Sequence, residues 1–252
     1  MEPVLNVENL SKSFSRAGKE AFFAVDHVSF SVMPDEILGI VGESGSGKST
    51  LARLITRQID ADTGIIELGG TEITGLKGKQ LIPVYRKIQM VFQQPMGSFD
   101  PRRTLGDGIC ESLRNQGIAK AEREEKACFL LEQCGLSEDF LKRYPHQVSG
   151  GQCQRAAIAR ALMCDPEILI FDEATSALDV TVQKQIVELL MKLQKERKLS
   201  YLFICHNLAL VQMFCDRVMV LYDGRIVEQG TPEDVILHPK SEYAGRLVNA
   251  IF

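Results

Sequence analysis

The segment Gly42-Glu43-Ser44-Gly45-Ser46-Gly47-Lys48-Ser49-Thr50 constrains this chain more than any other. From Gly42 to Ser49 it matches G-x-x-x-x-G-K-[ST], and its surroundings are those such a loop requires. Ile37-Leu38-Gly39-Ile40-Val41 before it is continuously apolar, as a strand covered on both faces would be. A helix is expected to begin near Lys48 and run through Ile55. The glycines let backbone N–H groups converge on phosphate oxygens, and the helix N-terminus adds partial positive charge. Lys48 is expected to reach the β- and γ-phosphates, and the Ser49 hydroxyl to ligate Mg²⁺. The plain alternative is a glycine-rich strand-to-helix turn. Such a match arises by chance in roughly one chain in a hundred of this length, and the strand–loop–helix setting lowers that further.

A second acidic element accompanies the loop. Ile168-Leu169-Ile170-Phe171-Asp172 is an apolar strand ending in a carboxylate, with Glu173 immediately after it. Asp172 would hold magnesium from a neighbouring strand tip. Glu173 would act as general base, since phosphoryl transfer to water needs an acceptor in line with the γ-phosphate. An apolar strand capped by Asp-Glu is common and weak alone; beside the phosphate loop it gains force. Together the two leave open a kinase, a switch GTPase or a motor.

The remaining chain organises around these motifs. At 252 residues it exceeds a typical core of ~100–150, so one large domain or a core with an inserted subdomain is expected. A hydrophobic fraction of 45% and a charged fraction of 25% are those of an ordinary globular chain. Strands are expected at Val4–Val7, Val28–Val32, Gly64–Leu68 and Ile88–Phe92. Residues 94–165 change to charged helical stretches such as Ala119–Cys134, as an insertion would. Strands and helices then alternate: Ile168–Phe171, Val182–Lys198, Tyr201–Ile204, Leu208–Cys215, then Val218–Leu221 and Ile226–Glu228 about the Asp223-Gly224 turn. This is the pattern of an α/β sheet with helical layers. Residues 232–252 are expected to form a peripheral helical tail.

Several partner classes are disfavoured. Twenty-nine basic against thirty-three acidic residues give a net charge of −4, which argues against a nucleic-acid partner. Seven scattered cysteines without a CxxC pair fit free thiols in a reducing compartment. No signal peptide is visible at the N-terminus, and no apolar run approaches the ~20 residues of a membrane span. A cytoplasmic chain is expected, whose membrane role would come through a partner.

Val148-Ser149-Gly150-Gly151-Gln152 precedes a clear helix, expected at Cys153–Met163. Alone it reads equally as a helix N-cap, with Ser149 capping and the glycines forming the turn. Gln93 ends the Ile88–Phe92 strand, Ser176-Ala177-Leu178-Asp179 follows Glu173, and His206 follows the Tyr201–Ile204 strand. With these elements the sequence resembles the ATP-binding cassette ATPases over essentially its whole length.

That resemblance implies a P-loop, RecA-like α/β core with an N-terminal antiparallel β subdomain and an inserted α-helical subdomain. It also implies residue roles. Ser149, Gly150, Gly151 and Gln152 would contact the γ-phosphate held by an opposite cassette. Gln93 would contact magnesium or the lytic water, Asp179 would lie in a loop crossing the dimer interface, and His206 would pair with the γ-phosphate and orient Glu173. An aromatic upstream of the loop would stack on adenine; Phe14 is the choice, with Phe22 and Phe23 as alternatives. Three departures stand out: Val148 for leucine, Cys153 where arginine is usual, removing a charge near the interface, and Asn207 for aspartate.

Tyr85–Pro95 and Ser98–Arg102 resemble the dipeptide/oligopeptide/nickel importer branch. Phe214–Val220 with Tyr243–Leu247 strengthen that placement, especially toward its nickel or metal-chelate members, so uptake of peptides or nickel/metal chelates is expected. The implied partners are two transmembrane permease subunits, a second cassette ATPase (identical or homologous) and an extracytoplasmic substrate-binding protein, with this chain on the cytoplasmic face of the inner membrane. A soluble cassette ATPase working on DNA or ribosomes is the alternative. Phe99, between Pro95 and Pro101, is expected to offer a permease helix an apolar anchor.

Overall fold

The computed structural model describes residues 2–15, 21–174 and 178–249. Its centre is a sheet whose inner strands are apolar on both faces. β3 and β8 are entirely buried, which is why they read as continuous apolar runs rather than alternating ones.

Two β-structures carry the chain, and all element bounds follow the chain order β1 (Leu5–Phe14), β2 (Phe22–Val32), β3 (Ile37–Val41), α1 (Lys48–Ile55), β4 (Thr63–Leu68), β5 (Thr71–Glu72), α2 (Ile82–Lys87), β6 (Ile88–Phe92). There follow α3 (Leu105–Ile109), α4 (Glu111–Asn115), α5 (Lys120–Gln133), α6 (Gly150–Leu162), β7 (Ile168–Asp172), α7 (Val180–Arg197) and β8 (Ser200–Ile204). The chain closes with α8 (Leu208–Phe214), β9 (Arg217–Tyr222), β10 (Arg225–Gly230), α9 (Pro232–Leu237) and α10 (Glu242–Asn249). Among the described residues one sheet runs β10-β9-β3-β8-β7-β6, parallel except for β10, and a second, antiparallel one runs β2-β1-β4-β5.

The period of two sorts the central strands' side chains onto two cores. Leu38, Ile40, Ile170, Leu202 and Ile204 pack with Leu51, Leu54 and Ile55 of α1 and with the antiparallel sheet. Val41, Phe171, Tyr201 and Phe203 pack on the other face, with α6, α7 and α8. That second core continues without a break into Leu105, Ile109, Ala127, Leu130 and Leu131 of the helices between β6 and β7. The helical stretch is thus keyed into the sheet's own core.

Sequence boundaries moved where local chemistry intervened. β1 continues to Phe14 instead of stopping near Val7, because register shifts after Val7 break the alternation. Asn9 sits at φ 48° with its N–H on the Ser29 hydroxyl. α6 begins at Gly150, ahead of the expected Cys153. Ser149 Oγ accepts the Gln152 N–H at 3.2 Å while the Gln152 side chain accepts the Ser149 N–H at 3.0 Å, a reciprocal cap.

Three expectations are corrected. Phe99 is only 4% exposed, with the Arg160 guanidinium 4.4 Å from its ring centre and Gly108 packed so closely that a Cβ there would fall 2.7 Å from the ring. It therefore cannot meet a permease helix. Cys153 lies fully buried on the core side of α6, with burial pushing its thiol up to about 11, so the change of residue there falls in the core and not at an interface. The tail is not merely peripheral: Val235, Ile236, Tyr243 and Ala244 join the main core. Residues 250–252 of that tail, and Ser176 and Ala177, lie outside the described residues. All seven cysteines are free thiols. Among the described residues no helix is long and apolar enough to cross a membrane.

Candidate functional site

Register brings the motif residues together. Ile40 of β3 lies beside Ile204 of β8, Ile204 beside Asp172 of β7, and Asp172 beside Phe92 of β6. The residues just past these strand ends are Gly42, Cys205, Glu173 and Gln93, all at the carboxyl edge of the parallel sheet. That edge is where open α/β sheets place ligands.

The loop after β3 needs its glycines. Gly42 has φ 153°, and a Cβ there would lie 2.2 Å from the Leu221 carbonyl oxygen. Gly47, at φ 105°, would put a Cβ 2.1 Å from the Ala24 carbonyl oxygen. Neither approach tolerates a side chain. The turn at Asp223-Gly224 props the loop from behind: the Gly224 N–H donates to the Ser46 carbonyl at 3.0 Å and the Gly224 carbonyl accepts from Asp26 N–H at 2.8 Å. This support was not legible in the sequence.

Lys48 opens α1 and is 4% exposed. Its ammonium donates to the carbonyls of Gly42 at 2.8 Å and Glu43 at 2.7 Å, and to the Ser46 hydroxyl at 3.4 Å. Burial lowers its pKa, opposed by the negative charges of Glu173 and Asp172. The charge is thus desolvated, poised and close to two carboxylates. Asp172 shows the converse, its pKa raised chiefly by burial, with the Ser49 hydroxyl donating to its Oδ1 at 3.0 Å.

Glu173 is held at φ 50°, a conformation uncommon outside glycine, by its own N–H donating to the Ile204 carbonyl at 2.9 Å. Its Oε2 accepts from the Gln93 side-chain amide at 3.1 Å.

Lys48, Ser49 and Glu173 border a cleft of about 640 Å³, lined also by Phe14, Phe22 and Thr50 among others. Phe14 is 38% exposed, and its ring centre lies 6.2 Å from that of Phe22. Phe23 does not line the cleft. The two rings thus offer an aromatic wall opposite a cationic, N–H-rich floor. Ser49 and Asp172 present neighbouring oxygens, the hard donors that magnesium prefers. Among the described residues no cluster of three or more His, Cys, Asp or Glu is grouped to hold a metal, so a cation here would complete its shell from phosphate and water.

Other predicted residues lie elsewhere. Exposed His206 follows buried Cys205 beyond β8 and does not line the cleft. Ser149, Gly150, Gly151 and Gln152 form the first turn of α6, with Ser149 exposed. Their glycines do not make a turn: neither has positive φ, and Gly151 is small because a Cβ would fall 2.7 Å from Val182 of α7. Asp179 is exposed and caps α7, accepting the Val182 N–H at 3.0 Å. A larger groove of about 860 Å³ opens beside the cleft, bordered by Gln93, Gln94, Ser98, Glu111, Arg160 and Asp172. Arg160 ties α6 to the segment after Gln93, donating to the Ser98 carbonyl at 2.5 Å and hydroxyl at 3.0 Å.

Known proteins resemble this chain over most of its length. A family profile described as ABC transporter matches residues 25–176. The chain is 44% identical over 250 residues to the oligopeptide transport ATP-binding protein OppF of Streptococcus mutans, covering 98% of this chain and 81% of that one. It is 43% identical over 258 residues to the glutathione import ATP-binding protein GsiA of Salmonella paratyphi A, covering 99% of this chain and 41% of that longer one. Among solved structures, the ATP-binding cassette MJ0796, in a dimeric post-hydrolysis state bound to ADP and Pi, superposes with a TM-score of 0.82 at 30% identity, over 90% of this chain and 98% of that one.

Proposed function

Because this chain belongs to the ABC transporter family and is one of its ATPases, we propose that it powers a membrane importer for peptides, docked on permease subunits. The observation that carries this is a cleft lined by Lys48, Ser49 and Glu173, to which Asp172 is tied through the Ser49 hydroxyl and Gln93 through Glu173, with the Ser149 turn exposed on a different element. A cleft that binds and hydrolyses ATP, and a separate anion-receptive helix start, are the two halves of a shared site.

In this reading the Lys48 ammonium, with backbone N–H groups of the loop and of the first turn of α1 other than the Glu43 N–H that Tyr243 takes, receives the phosphates, and Phe14, with Phe22 beside it, stacks on adenine. A magnesium ion bound with the nucleotide would use Ser49, Asp172 and Gln93 and neutralise charge on the transferring phosphoryl group. Glu173 accepts the proton of the attacking water, and the Gln93 amide at 3.1 Å fixes its carboxylate. His206, beyond the neighbouring strand tip and outside the cleft, would pair with the γ-phosphate only once nucleotide is bound, as the family resemblance implies. Ser149 through Gln152, with Asp179, meet the triphosphate of a second cassette placed head to tail. ATP then joins the two chains and hydrolysis separates them.

The same geometry supports an assembly with membrane partners. The groove beside Gln93 would take a permease helix and sense the γ-phosphate through Gln93; Phe99, buried beneath it, supports the wall without touching the partner. The full complex would hold two permeases, a second cassette and an extracytoplasmic substrate-binding protein, with this chain on the cytoplasmic side of the membrane. The oligopeptide and glutathione names of relatives at 44% and 43% identity support peptide cargo over nickel or metal chelates. They also support an importer over a soluble ATPase acting on DNA or ribosomes.

The test is reconstitution in vesicles with candidate permease subunits and an extracytoplasmic substrate-binding protein. ATP-dependent accumulation of a labelled oligopeptide, abolished by Glu173→Gln, is the expected result. Accumulation of nickel without peptide uptake would reassign the cargo; ATPase stimulation by DNA or ribosomes alone would reject the importer.

A further inference from the structure

We infer that Tyr243 on α10 is a positioning residue for the phosphate loop, acting on Lys48 through a single peptide group. The inference rests on reading that loop as the ATP site. The Tyr243 phenolic oxygen accepts the Glu43 N–H at 3.0 Å. That N–H and the Gly42 carbonyl belong to the same planar peptide unit. The Gly42 carbonyl accepts the Lys48 ammonium at 2.8 Å. One end of a planar unit cannot rotate without the other, so the tyrosine sets the direction in which the carbonyl holds the lysine. Hydrogen bonding at the N–H also polarises the unit and strengthens its carbonyl as an acceptor.

The tyrosine is built into place and is not a surface rotamer. It is 6% exposed, and its ring centre lies 4.1 Å from that of Tyr222. Glu228 anchors the approach to α10 by accepting the N–H groups of Lys240 at 2.9 Å and Ser241 at 2.8 Å. The Ser241 hydroxyl then accepts the Ala244 N–H at 3.1 Å, capping the helix that carries Tyr243. Tyr222, on which the ring packs, ends β9 immediately before the turn whose Gly224 N–H holds the Ser46 carbonyl. The loop is therefore held at both shoulders, at Glu43 by the C-terminal helix and at Ser46 by the β9–β10 turn. Two hundred positions separate Glu43 from its partner, so the C-terminal segment serves the nucleotide site directly.

The test is a double-mutant cycle on the full chain, with ATP·Mg²⁺ affinity read by displacement of the fluorescent analogue trinitrophenyl-ATP. Tyr243→Phe keeps the ring packing on Tyr222 and removes only the hydroxyl. It is expected to weaken ATP roughly two- to tenfold, the range of one hydrogen bond. In a Lys48→Ala background the same change is expected to cost less than about twofold, because the group it positions is gone. The Glu43 amide proton, followed by NMR without nucleotide, is expected to move upfield in Tyr243→Phe. Unchanged ATP affinity in Tyr243→Phe, or an equal loss in both backgrounds, would overturn the role assigned to Tyr243. A wild-type chain that binds no ATP would overturn the nucleotide reading instead, and the two failures are distinguishable because the amide shift reports the hydrogen bond by itself.

Discussion

Glu173→Gln separates binding from chemistry, and the structure sets the size of each effect. The substitution is isosteric and leaves the backbone alone, so the strained φ of 50° and the N–H donated to Ile204 are kept. The glutamine side chain retains an oxygen able to accept from Gln93, whose amide lies 3.1 Å from the present carboxylate. Binding should therefore change by no more than one ordinary hydrogen bond, about 1 kcal/mol or fivefold. Removing a negative charge beside the triphosphate biases that change toward tighter binding. Turnover loses the base altogether, a factor of ~10²–10⁴, or about 3–5 kcal/mol on the barrier. The assay is a single-turnover measurement with labelled ATP alongside an equilibrium titration of the same preparation. Hydrolysis at the wild-type rate, with ATP still bound, would refute Glu173 as the base.

Three further outcomes are expected. Lys48→Ala removes the cation from the loop floor and should weaken ATP strongly without unfolding the chain, checked by titration and circular dichroism together. Phe99→Ala empties a buried, cation-capped ring site and should cost about 3–5 kcal/mol in urea unfolding, with the loss appearing in the isolated chain and not only on assembly. Asp62 is held down to about 2 by the Lys12 ammonium and by the amide and hydroxyl of Ser13. A depressed carboxylate contributes stability above its unfolded value near 4 and loses it as pH falls toward 2; the stability gap between wild type and Asp62→Asn should close over that window in pH-dependent unfolding curves.

The site was legible in the sequence where one segment carries its own geometry. The phosphate loop and the strand ending in Asp172-Glu173 were readable because a buried parallel strand leaves an unbroken apolar run before its functional tip. Gln93 and His206 gained meaning only from resemblance, since a lone polar residue after a strand carries no pattern of its own. What escaped was everything set by tertiary contact. Tyr243 and Gly224 read as a tail residue and a turn glycine, yet both hold the loop through backbone atoms distant in sequence. Phe99 sits between prolines in a polar stretch and reads as a loop aromatic; Arg160, more than sixty residues on, makes it core. The second half of β1 is not recognisable as strand because its register shifts break the period of two.

The most direct test of the shared-site claim is sedimentation equilibrium of the Glu173→Gln chain with ATP and Mg²⁺, alone and mixed with a homologous cassette ATPase. An ATP-dependent dimer is expected in one of the two samples, lost when Ser149→Arg replaces the hydroxyl at the exposed start of α6 with a bulky side chain. Identical monomer fractions with and without ATP in both samples, or a dimer indifferent to Ser149→Arg, would contradict a nucleotide sandwiched between two cassettes.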